Sequence, residues 1–110
     1  MGALTLGTDY EIVGQDKNGC ITEIYIRTIN TVDDTDTFTL ALTEFGISAD
    51  GLIGVEGWEH TTDNSVAVQS NPTTSVTTGT LTVTIGGSND NNTRHLIVKG
   101  HSTPNPTSEL

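Results

Sequence analysis

Three histidines are the side chains in this chain best suited to metal chemistry. His60, His95 and His101 are separated by long stretches of sequence, and no cysteine neighbours any of them. A zinc site needs three or four ligands within tetrahedral reach. No helical His-x-x-x-His pair supplies such a group. The spacing therefore favours ordinary strand or surface histidines, and we predict no metal centre at them.

The acidic stretch "VDDTDT" is the second candidate for chemistry. Asp33, Asp34 and Asp36 place three carboxylates within four residues, and Ca²⁺ takes six to eight oxygen ligands. The EF-hand register with its distal glutamate is missing, and Asp and Thr are also common turn formers. We expect a turn here and no cofactor, with Ca²⁺ at these three aspartates as the alternative.

Catalytic motifs are not found along the chain. The sequence has no Gly-x-Ser-x-Gly elbow, no glycine loop followed by a phosphate-binding lysine and no dinucleotide fingerprint. Ser, Thr, Asp and Glu are plentiful, but no known spacing groups them as a nucleophile with its base. We predict that the protein is not an enzyme.

Three other segments carry side chains suited to partner contact. "WEH" places Trp58 and His60 on one face of a strand, and Trp gives a large contact area at low entropy cost. The strand "CITEIYIRTI" has a mixed face, as at a sheet edge or a subunit interface. The loop "GGSNDNN" is the third segment. The predicted partner contacts are Tyr25, Arg27, Ile29, Trp58, His60, Ser88, Asn89, Asp90 and Asn91.

Composition limits the class of protein that presents these residues. The chain has 110 residues, of which 21 are Thr, and its net charge is −10. Thr is β-branched and favours strands. A surface so acidic is repelled by nucleic acid and by anionic membranes, and no apolar run is long enough to span a bilayer. The single cysteine, Cys20, excludes an intrachain disulfide and is predicted to be a small buried hydrophobe.

Apolar residues recur with the period of strands. In "FTLAL", Phe38 and Leu40 alternate with threonine and alanine. The stretch "TSVTTGTLTVTIGG", residues 74–87, is interpreted as a strand whose Leu81, Val83 and Ile85 point inward. We expect this strand to form a hairpin with "RHLIVKG", in which Leu96 and Val98 share a face. Turn signals recur every ten to fifteen residues or so.

These signals predict one all-β domain. We expect an antiparallel β-sandwich or small barrel, jelly-roll-like, of about six to eight strands. The domain is predicted to cover residues 1–100. Residues 101–110, "HSTPNPTSEL", are predicted to be an extended or disordered C-terminal tail, because they contain two prolines and no aromatic residue.

The second half of the chain resembles the small Thr-rich β proteins encoded among the head genes of tailed bacteriophages. The resemblance covers roughly residues 20–100 and is carried by the strands at residues 53–57, 66–68, 79–84 and 96–98. It is compositional in character, and the N-terminal segment and the tail do not share it.

This resemblance implies a capsid decoration or cement protein. Such a protein binds the major capsid protein on the outside of the virion, often as a trimer, after synthesis in the host cytoplasm. A homo-oligomer also follows from the lean core, which leaves the Tyr25–Arg27–Ile29 face to be covered. Two alternatives remain at this point: a carbohydrate-binding or lectin-like module, and a neck or tail accessory protein of the virion.

Overall fold

The described part of the chain is built almost entirely from strands. The computed structural model describes residues 2–29, 31–62, 65–86 and 91–103. Within these ranges lie eight strands and one 3-10 turn, Leu42–Phe45. The strands are β1 (Tyr10–Asn18), β2 (Ile21–Thr28), β3 (Thr37–Ala41), β4 (Ile47–Thr62), β5 (Val66–Gln69), β6 (Thr73–Thr77), β7 (Thr80–Thr84) and β8 (Thr93–Ser102).

The strands form two antiparallel sheets. The larger sheet has five strands in the order β1-β2-β8-β4-β5, and the smaller has three in the order β3-β7-β6. Every pairing between these strands is antiparallel. The predicted all-β class and the sandwich architecture are therefore confirmed. Among the described residues, no helix is long and apolar enough to cross a bilayer.

One hydrophobic core fills the space between the sheets. Leu81, Val83 and Ile85 are at most 1% exposed, as their alternation predicts. Ile24 and Val98 close the core from the larger sheet. Full burial of such a side chain contributes about 1.5–3 kcal/mol. The buried hydrophobic residues of the described chain are Tyr10, Ile24, Ile26, Val32, Phe38, Leu40, Leu42, Ile47, Leu81, Val83, Ile85, Leu96 and Val98.

The stretch read as a single strand at residues 74–87 is a hairpin. Its first half is β6 and its second half is β7, and Thr77 pairs with Thr80 across a two-residue turn. Thr78 and Gly79 both have positive φ, 50° and 76°. That combination is typical of a type I′ turn, whose twist matches the flanking strands. The sequence analysis missed this turn because Thr78 is not one of the residues that normally adopt positive φ.

The predicted hairpin between "TLTVTI" and "RHLIVKG" is wrong. β7 lies at the centre of the smaller sheet, whereas β8 lies at the centre of the larger one, between β2 and β4. The chain therefore crosses from one sheet to the other after β7. Leu96 and Val98 do share an inward face, as predicted, but they meet Leu81 and Val83 across the core and not within one sheet.

Two features beside β2 also differ from expectation: the exposure of Cys20 and the C-terminal end of β8. Cys20 is exposed and not buried, because it lies with Gly19 in the two-residue turn between β1 and β2. β8 extends to Ser102, whose N–H donates to the Cys20 carbonyl at 2.8 Å. The sheet thus includes His101 and Ser102 of the segment assigned to the tail. Residues 104–110 lie outside the described residues.

Candidate binding face

The five-stranded sheet presents an outer face, directed away from the core, on which four of the six predicted contact residues in the described part of the chain lie. Alternation fixes this direction, because Ile24, Ile26 and Leu96 point inward. Their neighbours Tyr25, Arg27 and His95 therefore point outward. We use the term outer face for this surface, whose central members are Tyr25, Arg27, Trp58, His60, His95 and Ile97.

One row of side chains crosses all five strands of the outer face. Glu11 is opposite Arg27, Arg27 is opposite His95, and His95 is opposite Trp58. Gln69 on β5 completes the row beside Trp58. Directly opposite residues have Cβ atoms about 4.5–5.5 Å apart. The register thus brings together an acid, a guanidinium, an imidazole and an indole that are dispersed in sequence.

Charge pairs order the remainder of the outer face. Arg27 Nε contacts Glu11 Oε2 in a salt bridge at the sheet edge. Lys99 Nζ lies 3.0 Å from Glu56 Oε1 and 3.9 Å from Glu23 Oε2. The hydrogen bond and charge of Glu56 raise the pKa of Lys99. These pairs hold long side chains in fixed positions on an otherwise open surface.

Tyr25 donates its hydroxyl hydrogen to Glu23 on the same strand. This hydrogen bond, with desolvation of the ring, raises the pKa of Tyr25 above its ordinary value. Ile97 lies opposite it on β8, so Tyr25 and Ile97 give the outer face a partly apolar centre.

Two histidines meet at one end of the outer face. The ring centroids of His60 and His95 are 4.8 Å apart, with an angle of 38° between the planes. Desolvation lowers the pKa of His95, and the charges of His60 and Arg27 lower it further. A shallow depression of about 400 Å³ opens beside the pair. Its lining consists of Glu11, Arg27, Thr28, Ile29, His60, Thr93 and His95.

The structure places the predicted contact residues in two regions. Tyr25, Arg27, Trp58 and His60 share the outer face, and Ile29, 45% exposed, lies at the margin of the depression. Asn91 lies elsewhere, in the turn before β8, where its N–H donates to Asp33 Oδ1 at 2.9 Å. Ser88, Asn89 and Asp90 lie outside the described residues.

Sequence reasoning missed His95 and Glu11 as members of this face. Neither residue belongs to a recognisable motif, and the register of β8 with β2 and β4, or of β1 with β2, brings each beside the other members of the face. The available signal was the alternation in "RHLIVKG". With Leu96 and Val98 inward, that pattern puts His95 and Ile97 outward.

The acidic stretch forms a turn that closes the smaller sheet. The Asp36 carboxylate accepts the Asp33 N–H at 2.8 Å, and the Asp36 backbone pairs with Ile85. The Asp33 carboxylate accepts the Asn91 N–H in the turn before β8. Among the residues described here, no three His, Cys, Asp or Glu side chains form a group suited to a metal ion. The absence of a cofactor stays a prediction, and Ca²⁺ at Asp33, Asp34 and Asp36 stays its alternative.

A buried ion pair was not expected from the sequence. Arg94 Nη2 lies 3.7 Å from Glu59 Oε2, and both side chains are 2% exposed. Asn92 Nδ2 donates to the same Glu59 oxygen at 2.8 Å. Arg94 Nη1 donates to the carbonyl of Gly86, just after β7. The guanidinium therefore ties the centre of the larger sheet to the end of the smaller one, which is a structural role.

Comparison of the chain with protein-family models, with curated proteins and with solved structures found no match.

Proposed function

We propose that this protein is a non-enzymatic structural protein of a tailed-phage virion, a decoration protein that binds the capsid exterior. The observation that carries the proposal is the row Glu11–Arg27–His95–Trp58–Gln69 across the outer face. It is a broad, open surface with an aromatic residue and an arginine at its centre. Those residue types are enriched where proteins bind proteins.

The partner in this proposal is the major capsid protein. A contact at the centre of the outer face would bury Tyr25, Arg27, Trp58 and Ile97, while Glu11, which pairs with Arg27 from the edge strand β1, would lie at its rim. The net charge of −10 keeps the protein off the packaged genome and suits an external position. Association into a homo-oligomer, for which the resemblance implies a trimer, would multiply weak contacts into avidity.

Binding to virus heads tests the proposal. Purified protein is expected to cosediment with expanded heads of the phage that encodes it and to raise their resistance to heat. Trp58→Ala and Arg27→Ala should each weaken binding roughly 10-fold or more, because truncation of a central interface residue costs about 1–2 kcal/mol or more. Thr39→Ala, on the exposed side of the smaller sheet, is the matched control and should bind like the unaltered protein.

Location in the particle separates the decoration role from the neck or tail role. A decoration protein is present in proportion to the major capsid protein, whereas a neck or tail protein is present as a single ring. Quantitative mass spectrometry of purified virions gives this ratio. Absence of the protein from purified virions would contradict both roles.

A carbohydrate-binding module is the second candidate, and the position of Trp58 favours it. The indole is half-buried on an open sheet face between His95 and Gln69, an arrangement of a flat aromatic surface beside hydrogen-bonding groups. A glycan array, run with and without chelator, tests this function together with the Ca²⁺ alternative at Asp33, Asp34 and Asp36. A flat response in both conditions would remove this candidate.

A further inference from the structure

β6 is an exposed edge strand without charged residues. β6 is an outer strand of the smaller sheet, and all five of its residues are exposed. From Ser65 through Gly86, the described chain contains no Asp, Glu, Lys, Arg or His. Natural edge strands usually carry charges, prolines or bulges that prevent pairing with another chain. β6 has none of these over Thr73–Thr77.

The other three edges of the sandwich each carry a feature that hinders pairing. Residues 2–4 pair with the first residue of β3, since Leu4 N–H donates to the Thr37 carbonyl at 2.7 Å and Thr37 N–H donates to the Gly2 carbonyl. β1 carries Glu11, Asp16 and Lys17 and has a register shift after Ile12. β5 has only four residues and begins beside a register shift. These features leave β6 as the edge best suited to pairing.

The backbone groups on this edge can be assigned from the hairpin. Residues that flank a two-residue turn form a hydrogen-bonded pair, and such pairs alternate along the ladder. Thr77, Ser75 and Thr73 therefore bond to β7, whose partner residues are Thr80, Thr82 and Thr84. The N–H and C=O groups of Thr74 and Val76 point away from β7, toward the open side.

We propose that β6 pairs antiparallel with β6 of a second copy of this chain, about a two-fold axis at Ser75. In that register Thr74 of one copy is opposite Val76 of the other, so their outward backbone groups exchange hydrogen bonds. Val76, 38% exposed, lies on the core side of the sheet opposite Leu81. Pairing extends the apolar row of Leu81 and Val76 into the second copy.

Charge also favours a second copy as the occupant of this edge. Two chains of net charge −10 repel each other over most approaches. The segment from Ser65 to Gly86 adds no charge of its own, and Asp50 is the acid that lines the surface beside Val76, so repulsion at the β6 edge comes from few charges. Thr–Val and Thr–Thr neighbours across strands are favourable pairs. The pairing joins the two smaller sheets into one continuous sheet and leaves the outer face free, so it does not depend on the proposed capsid role.

Charge substitution at Ser75 tests the two-fold contact directly. Ser75 is exposed and would be opposite itself in the pair. Ser75→Lys and Ser75→Glu each place like charges face to face and should raise the Kd of the dimer about tenfold or more. An equimolar mixture of the two variants should restore the dimer, because Lys is then opposite Glu. Val76→Pro, which removes an N–H that β7 does not use, should also yield monomer.

Thr39→Lys is the matched control for these variants. Thr39 and Ser75 are both opposite Thr82, on the two sides of the smaller sheet, and the Thr39 strand is the one that residues 2–4 pair with at Thr37. Sedimentation over a concentration series should give twice the chain mass of 11.6 kDa for the unaltered protein and for Thr39→Lys. Circular dichroism establishes that each variant is folded.

Three results would overturn the proposal. The first is a mass of one chain for the unaltered protein at every concentration, and the second is a dimer that survives in both Ser75 variants. The third is a trimer, because a two-fold contact closes at two copies. A trimer would support the oligomer that the family resemblance implies and place its interface elsewhere.

Discussion

At the scale of single residues, burial and charge separate structural side chains from those free to bind. The charged side chains of Glu59 and Arg94 are buried, whereas Arg27 and His95, which are also basic, are exposed on the outer face. The difference is set by alternation, because Arg94 and His95 are adjacent in the chain and point to opposite sides of β8. Whether a polar residue of this protein is free to bind a partner therefore depends first on which side of its sheet the side chain occupies.

The Arg94–Glu59 pair gives a prediction about stability. Glu59→Ala should lower the free energy of unfolding by about 3–5 kcal/mol, because it leaves the arginine charge buried without its carboxylate. The double variant Arg94→Met with Glu59→Leu should cost much less, since apolar side chains then replace both charges of the pair. Urea unfolding measures both. Equal losses in the two proteins would show that packing, and not charge, sets the cost.

His95 gives a prediction about pH. Its pKa is lower in the folded protein than the ordinary value of 6.5, so the unfolded chain binds a proton more readily. The contribution of His95 to stability is therefore complete above pH 6.5 and falls as the pH drops below that value. His95→Gln should flatten the decline in the free energy of unfolding between about pH 7.5 and pH 5.

His101→Gln is the control for the pH prediction. His101 lies at the far end of β8, opposite Ile21 and away from the His60–His95 contact. Its variant should keep the pH dependence of the unaltered protein. A decline that is equally steep in His95→Gln would mean that another group is responsible.

At the scale of strands and turns, the β6–β7 hairpin contains an identifiable defect. Thr78 has a φ of 50°, a conformation that is unfavourable for a β-branched residue. Thr78→Asn creates an Asn-Gly turn, the preferred sequence for type I′. We expect it to raise the free energy of unfolding by about 1 kcal/mol, as measured by urea denaturation.

Thr77→Asn provides the matched control for this turn. Thr77 is also exposed, but it lies in β6 next to the turn. Asn is unfavourable in strands, so this variant should be neutral or slightly destabilising. Stabilisation by both substitutions would argue against strain at Thr78 as the cause.

The same elements show how far sequence reasoning extends. Alternation correctly assigned the inward rows of β3, β7 and β8, because burial on one side of a sheet imposes a period of two. It also selected Tyr25, Arg27, Trp58 and His60, four members of the outer face. Pairing between sheets was not accessible, since β7 and β8 have equally suitable inward rows whether or not they are neighbours. The missed turn at Thr78 and the exposure of Cys20 have local causes: Thr78 is a strained turn residue, and Cys20 lies in the two-residue turn between β1 and β2.

At the scale of the whole molecule, charge is distributed unevenly over a sandwich of 48 × 27 × 22 Å. Fourteen acids against four bases produce self-repulsion that opposes the compact state. The charge-free segment from Ser65 to Gly86 interrupts this repulsion along one side. Elsewhere the repulsion between acids within each copy persists, so the stability of each copy should depend on salt.

Salt should raise the melting temperature of this protein. At about 0.01 M ionic strength the Debye length is near 30 Å and covers most of the molecule, whereas at 0.15 M it is about 8 Å. Glu44 and Asp50 are exposed acids, and Glu44→Lys with Asp50→Lys changes the net charge from −10 to −6. This double variant should melt at a higher temperature in low salt and respond less to added NaCl. Glu44→Asp with Asp50→Glu keeps the net charge and should match the unaltered protein in melting temperature and in its response to NaCl. An equal salt response in all three proteins would show that long-range repulsion does not limit stability.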